Sequence, residues 1–301
     1  MNDATHMRCG FVAVLGAPNA GKSTLINELV GAKVSIVTHK VQTTRIRIMG
    51  IATKDDSQIV FIDTPGIFEP RRRLERAMVD AAWRGANDAD RIMLVVDAKR
   101  GMDRNTARIV DGLEESKRTA ALVLNKIDLV KREDLLALAA EFNAAEIFDE
   151  TFMISALKGD GVADILSQLA GLLPEGPWMF PEDQLSDLPQ RLTAAEVTRE
   201  YLFLQTHQEV PYSTTVETES WEEFKDGSVK IEQTIYVQRD SQKAIILGKK
   251  GARVREIGAA ARQDLTDMFG RNVHLFIHVK VRDKWMDDSS RYSAWGLNFN
   301  A

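Results

Sequence analysis

An internal disulfide is excluded, because Cys9 is the single cysteine among 301 residues. A lone thiol fits a reducing compartment. No uninterrupted apolar run approaches the ~18 residues that cross a bilayer. The first ten residues, MNDATHMRCG, carry no long apolar core and no small-residue cleavage site, so no secretory leader is expected. Cytoplasmic residence is the resulting expectation. Low-complexity tracts and internal repeats are also missing, which excludes disordered and solenoid classes. What remains is 44% hydrophobic and 28% charged, the composition of a soluble globular chain long enough for two cores.

The net charge of −5 conceals an uneven distribution. Between residues 239 and 255, Arg239, Lys243, Lys249, Lys250, Arg253 and Arg255 face Asp240 alone. Residues 217–226 hold Glu217, Glu219, Glu222, Glu223 and Asp226 against Lys225. One surface is therefore suited to an anion and another repels it.

Buried-strand patterns recur at residues 11–15, 59–62, 92–96, 120–124 and 152–154. Helical patterns separate them, one from Lys22 onward and others at 74–86, 104–115, 133–142 and 161–172. Strands alternating with helices predict an α/β domain with a mostly parallel sheet covered on both faces. Residues 45–52 alternate rather than run apolar, which suits pairing at an edge. After Leu173 come Pro174, Pro177, Pro181 and Pro189, half of the eight prolines, which read as a stiffened linker. The order then changes to a helix over 193–207, strands over 212–220 and 229–238, a helix–loop–helix over 241–269 and a strand over 273–281. The expected division is a first domain over 1–173, a linker over 174–190, an α+β domain over 191–285 and a tail over 286–301. Trp285 and the aromatic residues beyond it either dock on the fold or contact a ligand, and no function is assigned to them.

Gly16-Ala17-Pro18-Asn19-Ala20-Gly21-Lys22-Ser23 matches G-x-x-x-x-G-K-[ST], between a strand and a helix. Glycines let backbone N–H groups turn inward around phosphate oxygens, and the helix adds the positive end of its dipole. Lys22 can reach the β- and γ-phosphates and the Ser23 hydroxyl can ligate Mg²⁺. Thr24 completes the phosphate-contacting stretch. Asp63-Thr64-Pro65-Gly66 follows an apolar strand, where open α/β sheets bind ligands. Asp63 can hold Mg²⁺ through water, and the Gly66 N–H can meet the γ-phosphate. Between these motifs lies the polar stretch 32–47, in which Thr44 or its neighbour Thr43 can add a hydroxyl to the metal. Lys22, Thr44, Asp63 and Gly66 form the expected catalytic set.

Asn125-Lys126-Ile127-Asp128 follows the strand over 120–124. The Asp128 carboxylate can accept from both N1–H and the 2-amino group of guanine. Adenine would leave that charge unpaired, a strong discrimination. The Lys126 stem can lie along the base while Asn125 ties this loop to the phosphate loop. Ser155-Ala156-Leu157, after the last strand, is expected to offer the Ala156 N–H to guanine O6.

Taken together, GAPNAGKSTLIN, QTTR and DTPG resemble the Era family, within the translation-factor-related class of GTPases. The resemblance covers roughly residues 8–172. Ile67 follows Gly66 where Ras-like GTPases carry a water-orienting glutamine, so intrinsic hydrolysis is expected to be slow. Asn19 resembles the asparagine with which related enzymes seat K⁺ beside the β–γ bridge.

In the second domain Gly248-Lys249-Lys250-Gly251, followed by Arg253, lies between two helical stretches. The tetrad means little alone in a chain with 19 glycines. Its α-β-β-α-α-β setting makes it resemble a type II KH domain, whose loop clamps single-stranded phosphates beside an apolar groove. Ile245 and Ile246 line that groove or belong to the helix core. For the whole chain the resemblance implies GTP and GDP binding, contact with 16S ribosomal RNA near its 3′ end, and work on the 30S subunit or its precursor. No obligate oligomer is implied. Three rivals stay open: a metabolic P-loop kinase or ATPase, a non-catalytic RNA module, and a regulatory GTPase peripheral at the cytoplasmic face of the inner membrane, using its basic patch on anionic lipid.

Overall fold

The computed structural model describes residues 7–40, 42–206 and 210–301. The chain divides into two compact units, residues 1–187 with 290–301, and residues 188–289.

The first unit holds six strands, β1 Arg8–Leu15, β2 Ile48–Lys54, β3 Ser57–Asp63, β4 Arg91–Asp97, β5 Ala120–Asn125 and β6 Phe148–Ile154. Its helices are α1 Lys22–Val30, α2 Arg73–Asp88, α3 Arg104–Glu115, α4 Arg132–Asn143 and α5 Val162–Leu172. Strand order is β2-β3-β1-β4-β5-β6, parallel except for the antiparallel edge pair β2–β3. Alternation along β1 explains the two-sided core. Val12 and Val14 face one apolar layer with Leu25, Ile26, Ile165 and Leu169. Ala13 and Leu15 face the other with Ile109, Leu113 and Phe142. Because chain order runs outward in opposite directions from β1, a crevice opens at its C-terminal end, where such sheets take ligands.

The proline-containing segment differs from the expected linker. Up to Asp187 it is strapped to the first unit rather than free. Two causes are visible. Gln58 is wholly buried, and its side chain is satisfied mainly by this segment: Oε1 accepts from Met179 N (2.9 Å) and Phe180 N (3.0 Å), and Nε2 donates to Phe180 O (2.9 Å), with the Cys9 thiol as a further donor to Oε1 (3.6 Å). In addition, β2 is an edge strand whose outward amides need acceptors. Ile51 N donates to Leu185 O (2.9 Å) and Met49 N to Asp187 Oδ1 (2.8 Å). Trp178 and Phe180 then cover Cys9, Ile51 and Val60.

The second unit comprises α6 Gln190–Gln205, β7 Thr214–Glu223, β8 Val229–Val237, α7 Asp240–Leu247, α8 Ala252–Phe269 and β9 Val273–Val281. Its sheet runs β7-β8-β9, with β7 antiparallel and β9 parallel to β8. Position 207, the expected end of its first helix, lies outside the described residues. The expected tail over 286–301 divides after Ser289, and residue 285, the expected end of the second domain, lies within the second unit. Trp285 is fully buried and its Nε1 donates to Ser213 O (3.2 Å), so it belongs to the second core. Residues 290–301, with most of α9 Ser289–Ala294, group with the first unit instead. There Tyr292 packs edge-on to Phe299. Trp285→Ala should leave a large cavity and destabilise the second unit by ~3–5 kcal/mol, measured by denaturant unfolding of the full chain.

Candidate functional site

The loop between β1 and α1 curls around a buried cation. Lys22 Nζ donates to Gly16 O (3.1 Å) and Ala17 O (3.2 Å), holding the space phosphates would take. Burial pulls the Lys22 pKa down to about 8, against an upward pull from Asp63. Gly21 has φ +99°, and a Cβ there would lie 2.3 Å from Asn125 Nδ2. Only glycine permits both the left-handed turn and that approach. The N-terminal amides of α1 have no intrahelical acceptors and open into the same crevice.

Three hydroxyls converge on one carboxylate oxygen. Asp63 Oδ2 accepts from Ser23 Oγ (2.9 Å), Thr44 Oγ1 (3.1 Å) and Ser35 Oγ, while Ser23 Oγ and Thr44 Oγ1 lie 3.0 Å apart. Asp63 Oδ1 is buried with no hydrogen-bond partner. Burial raises the Asp63 pKa, although Ser35, Lys22, Ser23 and Thr44 all favour its ionised form. An all-oxygen donor set with an orphaned carboxylate atom fits Mg²⁺. No cluster of three His, Cys, Asp or Glu side chains occurs among the described residues, so phosphate and water would complete the shell. Thr43 turns elsewhere. Its hydroxyl donates to Lys40 O (2.7 Å) and lies 2.6 Å from Thr38 Oγ1. The structure thus brings Thr44, not Thr43, to Ser23 and Asp63.

Ser35 escaped the sequence reading because a serine in a polar loop carries no pattern. Asn27 anchors it, accepting from Val34 N and Ser35 N (2.9 Å each) and donating to Ser35 O (2.8 Å). Gly66 backs directly onto Pro18. Ile67 is entirely buried in the layer of Ala13, Leu15 and Ile62, so it points away from the crevice.

Across the crevice Asn125 knits three loops. Its Nδ2 donates to Ala20 O (2.9 Å), and its Oδ1 accepts from Lys126 N (2.8 Å) and Ala156 N (3.0 Å). The last bond corrects the expected role of Ala156, whose amide is engaged by Asn125 and reaches a base only by sharing. Lys126, at φ +67°, sends Nζ to Asn19 O and Asp97 Oδ2, 2.7 Å each. Asp97 was also missed. Its signal was a carboxylate ending β4, paired in register with Asn125. Asp128 Oδ1 accepts from Ser155 Oγ (2.8 Å), and that bond, helped by Lys158, holds its pKa below the usual value. Thr24, Asn27, Ala156 and Leu157 border an adjoining cavity of about 510 Å³.

In the second unit Gly248, Lys250 and Gly251 all have positive φ (67°, 53° and 75°). A Cβ at Gly248 would lie 2.9 Å from Arg253 Cβ. Lys249 and Lys250 project into solvent. Arg253 Nη1 donates to Ile245 O (2.6 Å), in the last turn of α7, so this arginine shapes the loop as well as adding charge. Ile246 is fully buried in the core with Ile235 and Ile257 and is removed from the groove, whereas Ile245 is 40% exposed.

Phosphate oxygens against Lys22 would restore its ordinary basicity. Triphosphate binding should therefore take up protons near pH 8, and affinity should fall as pH rises through that value. Calorimetry in buffers of different ionisation enthalpy measures the uptake.

Comparison with known proteins agrees with this geometry. A family model described as 50S ribosome-binding GTPase matches residues 11–126, and a KH domain model matches residues 209–286. GTPase Era of Sinorhizobium medicae is 60% identical over 296 residues, 98% of this chain and 96% of that one. GTPase Era of Dinoroseobacter shibae is 58% identical over 300 residues, 99% of this chain and 97% of its own. A crystal structure of an Aquifex aeolicus Era variant bound to GDP·AlF4⁻ has TM-score 0.91 and 38% identity, covering 96% of this chain and 99% of that one. Another, of Era in complex with MgGDPNP and nucleotides 1506–1542 of 16S ribosomal RNA, has TM-score 0.92 and 38% identity, with coverage of 97% and 99%. By phosphate loop, base-reading loop and full-length similarity, the chain belongs to the Era family of GTPases.

Proposed function

We propose that this chain is a cytoplasmic GTP–Mg²⁺ switch whose KH domain binds 16S ribosomal RNA near its 3′ end during assembly of the 30S subunit. The observation that carries this reading is its end-to-end match with an Era bound at once to MgGDPNP and a 16S segment. In this reading the amides of residues 16–24 and Lys22 hold the phosphates. Ser23 and Thr44 ligate Mg²⁺ directly and Asp63 does so through water. When bound, Mg²⁺ neutralises charge on the β- and γ-phosphates. Gly66 meets the γ-phosphate, and Asp128 and Lys126 hold guanine, with Ser155 orienting Asp128 and Asn125 tying the Ala156 loop to the phosphate loop.

With Ile67 in the core, no side chain at that position orients water. K⁺ seated by Asn19 would add positive charge where the transition state spreads its negative charge. Hydrolysis should run faster in potassium than in sodium at equal ionic strength; equal rates leave Asn19 a loop-shaping residue.

Asp128→Asn should weaken GTP binding and strengthen that of xanthosine triphosphate, whose 2-position is a carbonyl. Unchanged GTP affinity in the variant would refute the base-reading assignment.

RNA binding is assigned to the loop over 248–251, with Lys249, Lys250 and Arg253 facing phosphates and Ile245 beside the bases. Lys249→Asp with Lys250→Asp should cost about 2 kcal/mol or more of affinity for a single-stranded 16S 3′-end oligonucleotide. GTP affinity should not change, because the loop stands on its own core. Anisotropy titrations, after circular dichroism confirms folding, test both. A folded variant with full RNA affinity would remove the loop as the binding site.

A further inference from the structure

The function proposed above leaves one charged run of the first unit unused. Arg71-Arg72-Arg73 follows the DTPG motif by a few residues, with Arg76 one turn later on α2. All four are exposed. Arg104 and Arg108 of α3 meet the same region through Glu69 Oε2, at 3.0 and 3.8 Å. Six arginines thus face two glutamates, with Arg76 Nε also donating to Ala301 O (3.3 Å), and neither glutamate neutralises the front of the run. Glu69 is held by Arg104 and Arg108. Glu75 Oε2 accepts from the backbone amides of Arg71 (2.7 Å) and Arg72 (3.1 Å), and Oε1 accepts from Gln42 (3.0 Å). Arg73 stacks over Phe299, 4.4 Å from its ring centroid. Among the described residues no carboxylate pairs with the guanidinium of Arg71 or Arg72.

The surroundings select the ligand. A helix that lies on a membrane needs an apolar face to insert. Leu74, Ala77, Met78 and Ala82 of α2 are all buried in the fold, and no large apolar side chain between residues 68 and 108 is exposed. Attraction here is electrostatic alone, through planar guanidinium forks that match phosphate oxygens in pairs. Successive phosphates along a flexible strand suit adjacent arginines better than a lipid surface does.

We propose that Arg71 and Arg72, with Arg76 beside them, form a second RNA-phosphate site on the GTPase domain, which takes the backbone without reading its bases. It is independent of the loop over 248–251. Through Glu75 the same backbone is tied to Gln42, two residues before Thr44.

The test uses the full chain with Arg71→Gln and Arg72→Gln together, against two RNAs: nucleotides 1506–1542 of 16S ribosomal RNA and a scrambled sequence of equal length. Affinity is followed across a salt series. The expected result is a slope of log affinity against log salt shallower by about 1.4, two single-strand phosphates at roughly 0.7 each, for both RNAs. GTP affinity and the preference for the 16S sequence should be unchanged. Added to Lys249→Asp with Lys250→Asp, the arginine substitutions should remove the residual binding to the scrambled RNA, which separates this site from the KH loop. A folded arginine variant with the parent's slope on both RNAs would overturn the proposal. Loss of binding to phosphatidylglycerol vesicles with the RNA slopes intact would overturn it too and assign the patch to lipid.

Discussion

One carboxamide holds the nucleotide crevice in register. Asn125 ends β5, yet its side chain reaches the phosphate loop through Ala20 and the loop after β6 through Ala156. A buried amide left without these partners would cost ~1–3 kcal/mol for each group, so the three loops move as one body. The arrangement depends on residue 21 being glycine, because any side chain there would occupy the position of Asn125 Nδ2. The loops proposed to grip phosphate and to read the base are therefore tied together, with Lys126 as a second tie through Asn19 and Asp97.

The metal side is built differently. Lys22 and Asp63 are both buried and shifted toward their neutral forms, Lys22 downward and Asp63 upward. Each helps the other only partly, because desolvation exceeds their mutual attraction. A nucleotide with its cation supplies the missing charges to both, so the site is under tension that ligand relieves. Ser35 and Thr44 carry that relief into residues 32–47, since their hydroxyls rest on the same Asp63 oxygen.

Strand and helix patterns made the sheet legible in the sequence, because burial on two faces leaves continuous apolar runs, while alternation over 45–52 marked an edge strand without giving its antiparallel direction. The phosphate, metal and base motifs were legible because their chemistry fixes residue type and spacing together. What stayed hidden has no period. Thr43 and Thr44 differ only in which way a loop turns, and Ser35 and Asp97 act through single contacts. Ile245 and Ile246 are chemically alike, and only the turn of α7 sends one outward and the other into the core. The segment after Leu173 looked like a linker because prolines dominate its composition. Its anchor, Gln58, lies more than a hundred residues earlier.

That strap has a consequence for how the molecule behaves among its own copies. A twisted sheet with an open edge offers another chain a template for strand addition. Here the outer amides of β2 are already capped by Leu185 and Asp187, with Gly50 bridged to Ser186. The cover is short, three residues between Pro181 and Pro189, and its contacts with β2 run both ways, Asp187 N donating in turn to Met49 O (3.4 Å). The segment that looks like a spacer thus occupies the edge at which another strand would add.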